Sequence, residues 1–249
     1  MLDKNPIYHY IFNLKYGKPR GQLLSNKNKR IYNRILTEEQ ATSWAEMYYG
    51  KWSEDYSRAF GSALDSNLDS YMLDSCSANP IAMYCGYSGS QLNDYIRGCS
   101  EQIFLLYPPF DPARFNDTLT TLLVMAPRIP EDIVVYRYLP EIAIELILKS
   151  NKNEPFYIDK SFMSSSLIYD PPNMKDFNHE HVLEIFVDKG TVGVYTNLIP
   201  GCGRGECELL ILRNSLMYLL DYPYKRNGRT VYPVRLHNNP DSSGYNYFD

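Results

Sequence analysis

Apolar residues recur at helical spacing up to about residue 126, then give way from residue 133 to short β-branched and aromatic runs, and alternating βαβ units are absent. Helices first and strands second restrict the chain to an α+β fold with an antiparallel or mixed sheet, because parallel strands need a crossover helix between them. No G-x-G-x-x-G occurs, which disfavours a doubly wound nucleotide domain. Thr37-Glu38-Glu39-Gln40 reads as a capping box, opening a helix that carries Trp44, Met47 and Tyr48. A second helix is expected after Ser53, burying Phe60, Ala63, Leu64, Asn67, Leu68 and Tyr71. A third, from Ser88 or Ser90, turns Leu92, Tyr95, Ile96 and Cys99 inward; a fourth spans 111–126 with Phe115, Leu119, Leu122 and Leu123. Strands are expected at 133–139, 156–166, 181–188, 191–197, 206–213, 215–220 and 230–236, with a short helix from Pro140 through Lys149.

A hydrophobic content of 44% is enough for a real core, and 23 tyrosines favour clefts for flat, hydrogen-bonding ligands or are simply background. The net charge of −4 gives no overall basic field for nucleic acid. Residues 4–37 nevertheless hold eight Lys or Arg and no acid, so 1–36 is read as a basic arm. Such an arm suits an anionic partner or is an ordinary solvated extension. Five cysteines form no paired C-x-x-C and an odd number cannot all pair within the chain, which fits a reducing compartment. No signal-length or membrane-length apolar run is present, so a soluble protein is expected. His9, His179, His181 and His237 leave little for a metal site, and none is assigned.

Residues able to carry chemistry are scattered along the chain. Arg137 sits in an apolar strand and needs an anionic partner, either a protein carboxylate or a ligand phosphate. Asn93 and Arg97 lie four apart on one helix face and offer an amide and a guanidinium. Ser164-Ser165-Ser166 ends a strand; no Ser-His-Asp arrangement accompanies it, so Ser164 reads as an organiser or as part of a plain strand-to-loop transition. Ile199–Gly205, rich in turn formers, leads into Glu206-Cys207-Glu208. In a continuous strand those two carboxylates would share a face, with Cα atoms roughly 6.5–7 Å apart.

In order, these pieces resemble the arginine–serine–glutamate class of mono-ADP-ribosyltransferases over roughly residues 37–235. Tyr84 through Gly98 is similar to that family's Tyr…Asn-x-x-Leu-Arg-Gly helix, with Ile96 at the Leu position. Pro130 to Arg137 resembles the first core strand, and Phe162 to Ser166 the Ser-Thr-Ser element, with Ser165 where Thr is usual. Gly190–Tyr195 and Glu206–Arg213 resemble the strands bracketing the recognition turn. Ser161 stands where relatives often have Asn, Glu180 lies near an Arg position of some toxins, and no aromatic occurs between Leu198 and Gly205.

The resemblance implies two β-sheets around an NAD cleft with helices on the N-terminal side. It makes 37–236 a single catalytic domain and 237–249 a tail. It implies that Arg137, Arg97 and Asn93 hold NAD, with Tyr138 and Phe177 as further cofactor contacts and Phe177 at the nicotinamide end. It also implies that Ser164 orients Glu208, that Glu208 stabilises the ribose, and that Glu206 handles the acceptor. The expected activity is transfer of ADP-ribose from NAD to a protein arginine by a monomeric toxin or effector, cytoplasmic or translocated into a host cell, with actin as acceptor by analogy only. An NAD glycohydrolase and a catalytically silent binding module are the alternatives.

Overall fold

A computed structural model describes residues 5–21, 31–60, 79–99, 111–172, 179–202 and 205–237. The helices are α1 (Pro6–Tyr16), α2 (Glu38–Phe60), the one-turn α3 (Pro80–Met83), a π-helical turn (Tyr84–Ser88), α4 (Gly89–Arg97), α5 (Pro112–Met125) and α6 (Glu141–Asn153). The strands are β1 (Ile133–Leu139), β2 (Tyr157–Asp159), β3 (Met163–Ser166), β4 (His181–Val187), β5 (Gly193–Tyr195), β6 (Glu208–Ile211), β7 (Ser215–Leu219), β8 (Tyr224–Arg226) and β9 (Arg229–His237). The fold is α+β, with helices leading and one mixed sheet following. Among the described residues no helix is long and apolar enough to cross a membrane.

Several starts follow from local chemistry. Gln40 N donates to Thr37 Oγ1 at 3.3 Å, while Gln40 Oε1 accepts from Leu36 N at 3.0 Å, a capping box displaced by one residue. Pro6, Pro80 and Pro112 each open a helix behind a capping Asn5, Asn79 or Asp111. α2 runs unbroken through Ser53, because 49–57 holds no proline and its one glycine, Gly50, weakens a helix without ending it; it buries Trp44 and Tyr49 and leaves Met47 exposed. Phe60 packs partly against the core, and Ala63, Leu64, Asn67, Leu68 and Tyr71 lie outside the described residues. On α4, Leu92 and Asn93 are buried, whereas Tyr95 and Cys99 are exposed.

The sheet order is β2-β7-β9-β4-β1-β3-β6-β5, with β8 pairing β9. β1 and β4 are antiparallel over seven pairs and β4 and β9 parallel over seven, whereas β1 and β3 share one pair, Tyr136↔Ser166. That thin junction divides the sheet into a broad part ending at β1 and a small part, β3-β6-β5. The expected strand 156–166 breaks at 160–162, and its halves lie five strand positions apart. A flat sheet would separate them by roughly 24 Å at the usual strand spacing. The linker from Asp159 to Met163 reaches only about 14 Å when extended. The sheet must therefore curl, and the curl brings Asp159 back beside β1.

α2 and α5 pack on β5, and α1 and α6 cover the broad part. Phe12 and Tyr16 of α1 and Ile35 are buried in the main core, so the described part of the expected arm packs against the sheet and α6. Strand β8 was not expected, although Asn227-Gly228 marks its turn: both residues have positive φ, the signature of a two-residue hairpin.

Candidate active site

β1 alternates faces, so Arg137 points into the curl with Val135, while Tyr136 and Tyr138 point the other way. Arg137 Nη1 lies 2.7 Å from Asp159 Oδ2, and both side chains are largely buried. Ser161 donates to Asp159 Oδ1 from its hydroxyl at 2.7 Å and from its backbone N–H at 3.1 Å. Arg97 Nη2 donates to Ser161 Oγ at 2.6 Å and stands 3.8 Å from Asp159 Oδ1. Two cations thus flank one buried carboxylate. Gly98, at φ +75°, ends α4 directly after Arg97 in a left-handed conformation suited to glycine.

Asn93 is placed differently from Arg97. Its Nδ2 donates to Tyr84 Oη at 2.9 Å and to Phe162 O at 3.2 Å, and its Oδ1 accepts from Phe162 N at 3.2 Å. The amide is spent on fixing the entry to β3, where the sequence reading had it facing a ligand. Tyr84 stacks edge-on against Phe162 and donates to its carbonyl at 3.3 Å. The π-helical turn that carries Tyr84 needs Gly89 behind it, where an added Cβ would come 2.2 Å from the backbone Tyr84 O. Burial pushes the Tyr84 phenol up, and the Glu208 carboxylate pushes it further; Asn93 and Arg137 pull it back. Tyr84 therefore lies within the fields of both Glu208 and Arg137.

β3 and β6 are antiparallel, pairing Ser166 with Glu208 and Ser164 with Leu210. Ser164, Ser166 and Glu208 hence share a face, with Ser164 diagonal to Glu208. Leu167 N donates to Cys207 O, so Ser166 and Glu208 form the neighbouring non-bonded pair, whose side chains approach closely. Ser166 Oγ accepts from Ile168 N and Ser165 Oγ donates to Leu209 O. Glu208 is 5% exposed, and its Oε2 accepts from Thr196 Oγ1 at 3.0 Å and Cys85 Sγ at 3.2 Å. Among the described residues, Ser164 donates no hydrogen bond to that carboxylate.

The expectation that Glu206 and Glu208 share a strand face is corrected. Cys207 has φ +48°, so the backbone turns there, Glu206 lies in a bend, and the strand begins only at Glu208. Tyr138 is not brought to the set: its hydroxyl donates to Tyr169 O, and the Arg229 guanidinium lies 5.1 Å over its ring on the opposite face. Phe177 lies outside the described residues. The sequence reading missed Asp159, Cys85 and Thr196; an aspartate closing the apolar run Phe156-Tyr157-Ile158 was the one signal for a buried partner to Arg137.

The family profile described as ADP-ribosyltransferase exoenzyme matches residues 41–230. Among curated proteins there is no sequence match. The fold is similar to BECa, an ADP-ribosylating toxin of a binary enterotoxin of C. perfringens solved with NADH, at a TM-score of 0.61 and 18% identity over 83% of this chain and 50% of BECa. This chain therefore spans half the length of that relative. It is also similar to Plx2a, an ADP-ribosyltransferase toxin from Paenibacillus larvae, at a TM-score of 0.57 and 17% identity over 84% of this chain and 100% of Plx2a. The Clostridium limosum C3 exoenzyme aligns at 0.56 and 13% identity, covering 84% of this chain and 98% of its own.

Proposed function

The chain belongs to the ADP-ribosyltransferase exoenzyme family, and from that membership we propose that it is an NAD-dependent mono-ADP-ribosyltransferase that moves ADP-ribose to a protein arginine and releases nicotinamide. The observation that carries the reading is that Arg137 and Arg97 meet at Asp159 and Ser161, in the short link that leads into β3, the strand that pairs with β6 at Glu208. The side chains fit a dinucleotide. Each guanidinium has five donors, and the pairing with Asp159 and Ser161 leaves donors on Arg137 and Arg97 for phosphate oxygens. Asn93 holds the strand entry that these cations frame.

Glu208, in this reading, accepts a hydrogen bond from the ribose 2′-hydroxyl and stabilises the positive charge that develops as the nicotinamide bond breaks. Ser164, diagonal to it on the same face, offers a hydroxyl to the ribose. Glu206 guides the acceptor and takes its proton as the new bond forms, since a guanidinium is charged beforehand. The arginine preference rests on the Glu-x-Glu spacing, and the packing of Phe177 against nicotinamide rests on the resemblance alone. The toxin relatives support an effector translocated into a host cell, with actin the first acceptor to assay, by analogy.

Labelled NAD incubated with a cell lysate and with an arginine-rich peptide tests the reading. Glu208→Ala is expected to lose at least about 100-fold in both transfer and NAD hydrolysis, the range for removing one transition-state stabiliser. Glu206→Ala is expected to lose transfer and keep hydrolysis. Mass spectrometry should find the label on arginine. Label on another residue type overturns the acceptor, free ADP-ribose as sole product identifies a glycohydrolase, and a near-normal rate in Glu208→Ala overturns its assignment.

A further inference from the structure

Glu208 is gripped at several points by residues that the family resemblance left unassigned. Its backbone N–H donates to Asn197 Oδ1 at 2.9 Å, and its carbonyl accepts from Thr196 N at 3.0 Å. The Thr196 hydroxyl lies 3.0 Å from Glu208 Oε2 and 3.4 Å from Glu208 O; it has one proton, which the shorter contact to the charged oxygen takes. From the far side, Cys85 in the π-helical turn brings Sγ to 3.2 Å from the same Oε2. Among the described residues no donor reaches Oε1.

We infer that Thr196 and Cys85 are positioning residues, which together fix Oε2 of Glu208 and so turn Oε1 toward the ribose. The inference rests on the reading of Glu208 given above. A carboxylate on a glutamate side chain rotates freely about its last bond, because that torsion is broad. Two donors on one oxygen, arriving from β5 and from the helical layer, select one orientation. Contact with the Cys202 thiol, then burial, then the Glu208 carboxylate, push the Cys85 thiol well above its ordinary range, so it stays protonated and able to donate. Thr196 is fully buried just after β5, with little freedom to leave. Geometry of this kind matters to rate, since a misplacement near 1 Å costs on the order of 100-fold.

The test uses the full chain with NAD and compares Thr196→Val, Thr196→Ser and Cys85→Ala for kcat, KM and melting temperature. Thr196→Val removes the hydroxyl at nearly constant volume. It is expected to lower kcat by about 10- to 100-fold and leave KM for NAD within about threefold, because only orientation for the transition state is lost. Thr196→Ser keeps the donor and should recover kcat to within about fivefold, while Cys85→Ala should lose about 3- to 10-fold, as one of two donors goes. Wild-type kcat in Thr196→Val overturns the inference, and so does a raised KM with unchanged kcat. A Thr196→Ser variant as impaired as Thr196→Val also overturns it, since packing would then be the cause. Should Thr196→Val fail to fold, Cys85→Ala decides, and wild-type kcat there rejects the role. A wild-type protein that binds NAD and turns none over refutes the functional reading, and this inference with it.

Discussion

Arg137 is held by Asp159 at 2.7 Å, with the two side chains 13% and 6% exposed. Removing one member of such a pair leaves a buried charge, at a cost of about 3 kcal/mol. Asp159→Asn is therefore expected to lower the melting temperature, and saturating NAD to raise it by more than in the wild type, because phosphate can replace the lost anion. Equal NAD-induced shifts in the two proteins would reject a phosphate role for Arg137. The need of Arg137 for an anion was readable from an arginine in an apolar strand; its identity was not, because Asp159 reaches it only through the curl of the sheet. The same holds for Cys85 and Thr196: nothing in the flanking sequence singles out either position, and both act through an approach of 3.2 and 3.0 Å to Glu208.

At the scale of elements, α1 escaped the sequence reading because Pro6–Tyr16 has apolar residues on two sides. Phe12 and Tyr16 are buried and Ile7, Ile11 and Leu14 exposed, so no single stripe stands out. Its docking on α6 uses charge: Tyr16 Oη donates to Glu145 Oε1, and Lys15 Nζ lies 3.3 Å from the same oxygen. These bonds, Tyr16 first, hold the Glu145 carboxyl below its ordinary range against the smaller effect of burial. A depressed folded-state value contributes stability above the unfolded value of roughly 4.3, and that stability is lost as pH falls through the folded value. Hydrogen exchange is expected to show α1 losing protection relative to β4 between pH 6 and pH 3.5, with Glu145→Gln removing the pH dependence; unchanged protection in the wild type would reject the linkage. Where one local signal dominated, elements were readable. Strand β1 fell within 133–139 as expected, and Asp111 with Pro112 opened α5.

Across the whole molecule, the described part of residues 1–36 is built into the body, with Phe12, Tyr16 and Ile35 in the core. Burying a large apolar side chain contributes about 1.5–3 kcal/mol. We propose that the folded unit includes this segment. Deleting 1–36 is expected to cost about 5 kcal/mol and to yield a protein that melts far lower or fails to fold, as read by circular dichroism. A truncated protein with the melting temperature of the full chain would support a boundary at 37. The segment is basic, yet its aromatics Phe12 and Tyr16, with Ile35, do the packing.

What the sequence determined on its own is that helices lead and strands follow, and that Arg137, Glu206 and Glu208 are candidates for chemistry, since periodicity and residue chemistry are local properties. Only the tertiary structure decided which of these meet. The three-residue link between β2 and β3 forces the sheet to curl, and that curl brings Asp159 against Arg137. The left-handed turn at Cys207 leaves Glu206 outside the strand that begins at Glu208. Distances between residues far apart in the chain follow from how the sheet closes, and no window of neighbouring residues contains that information.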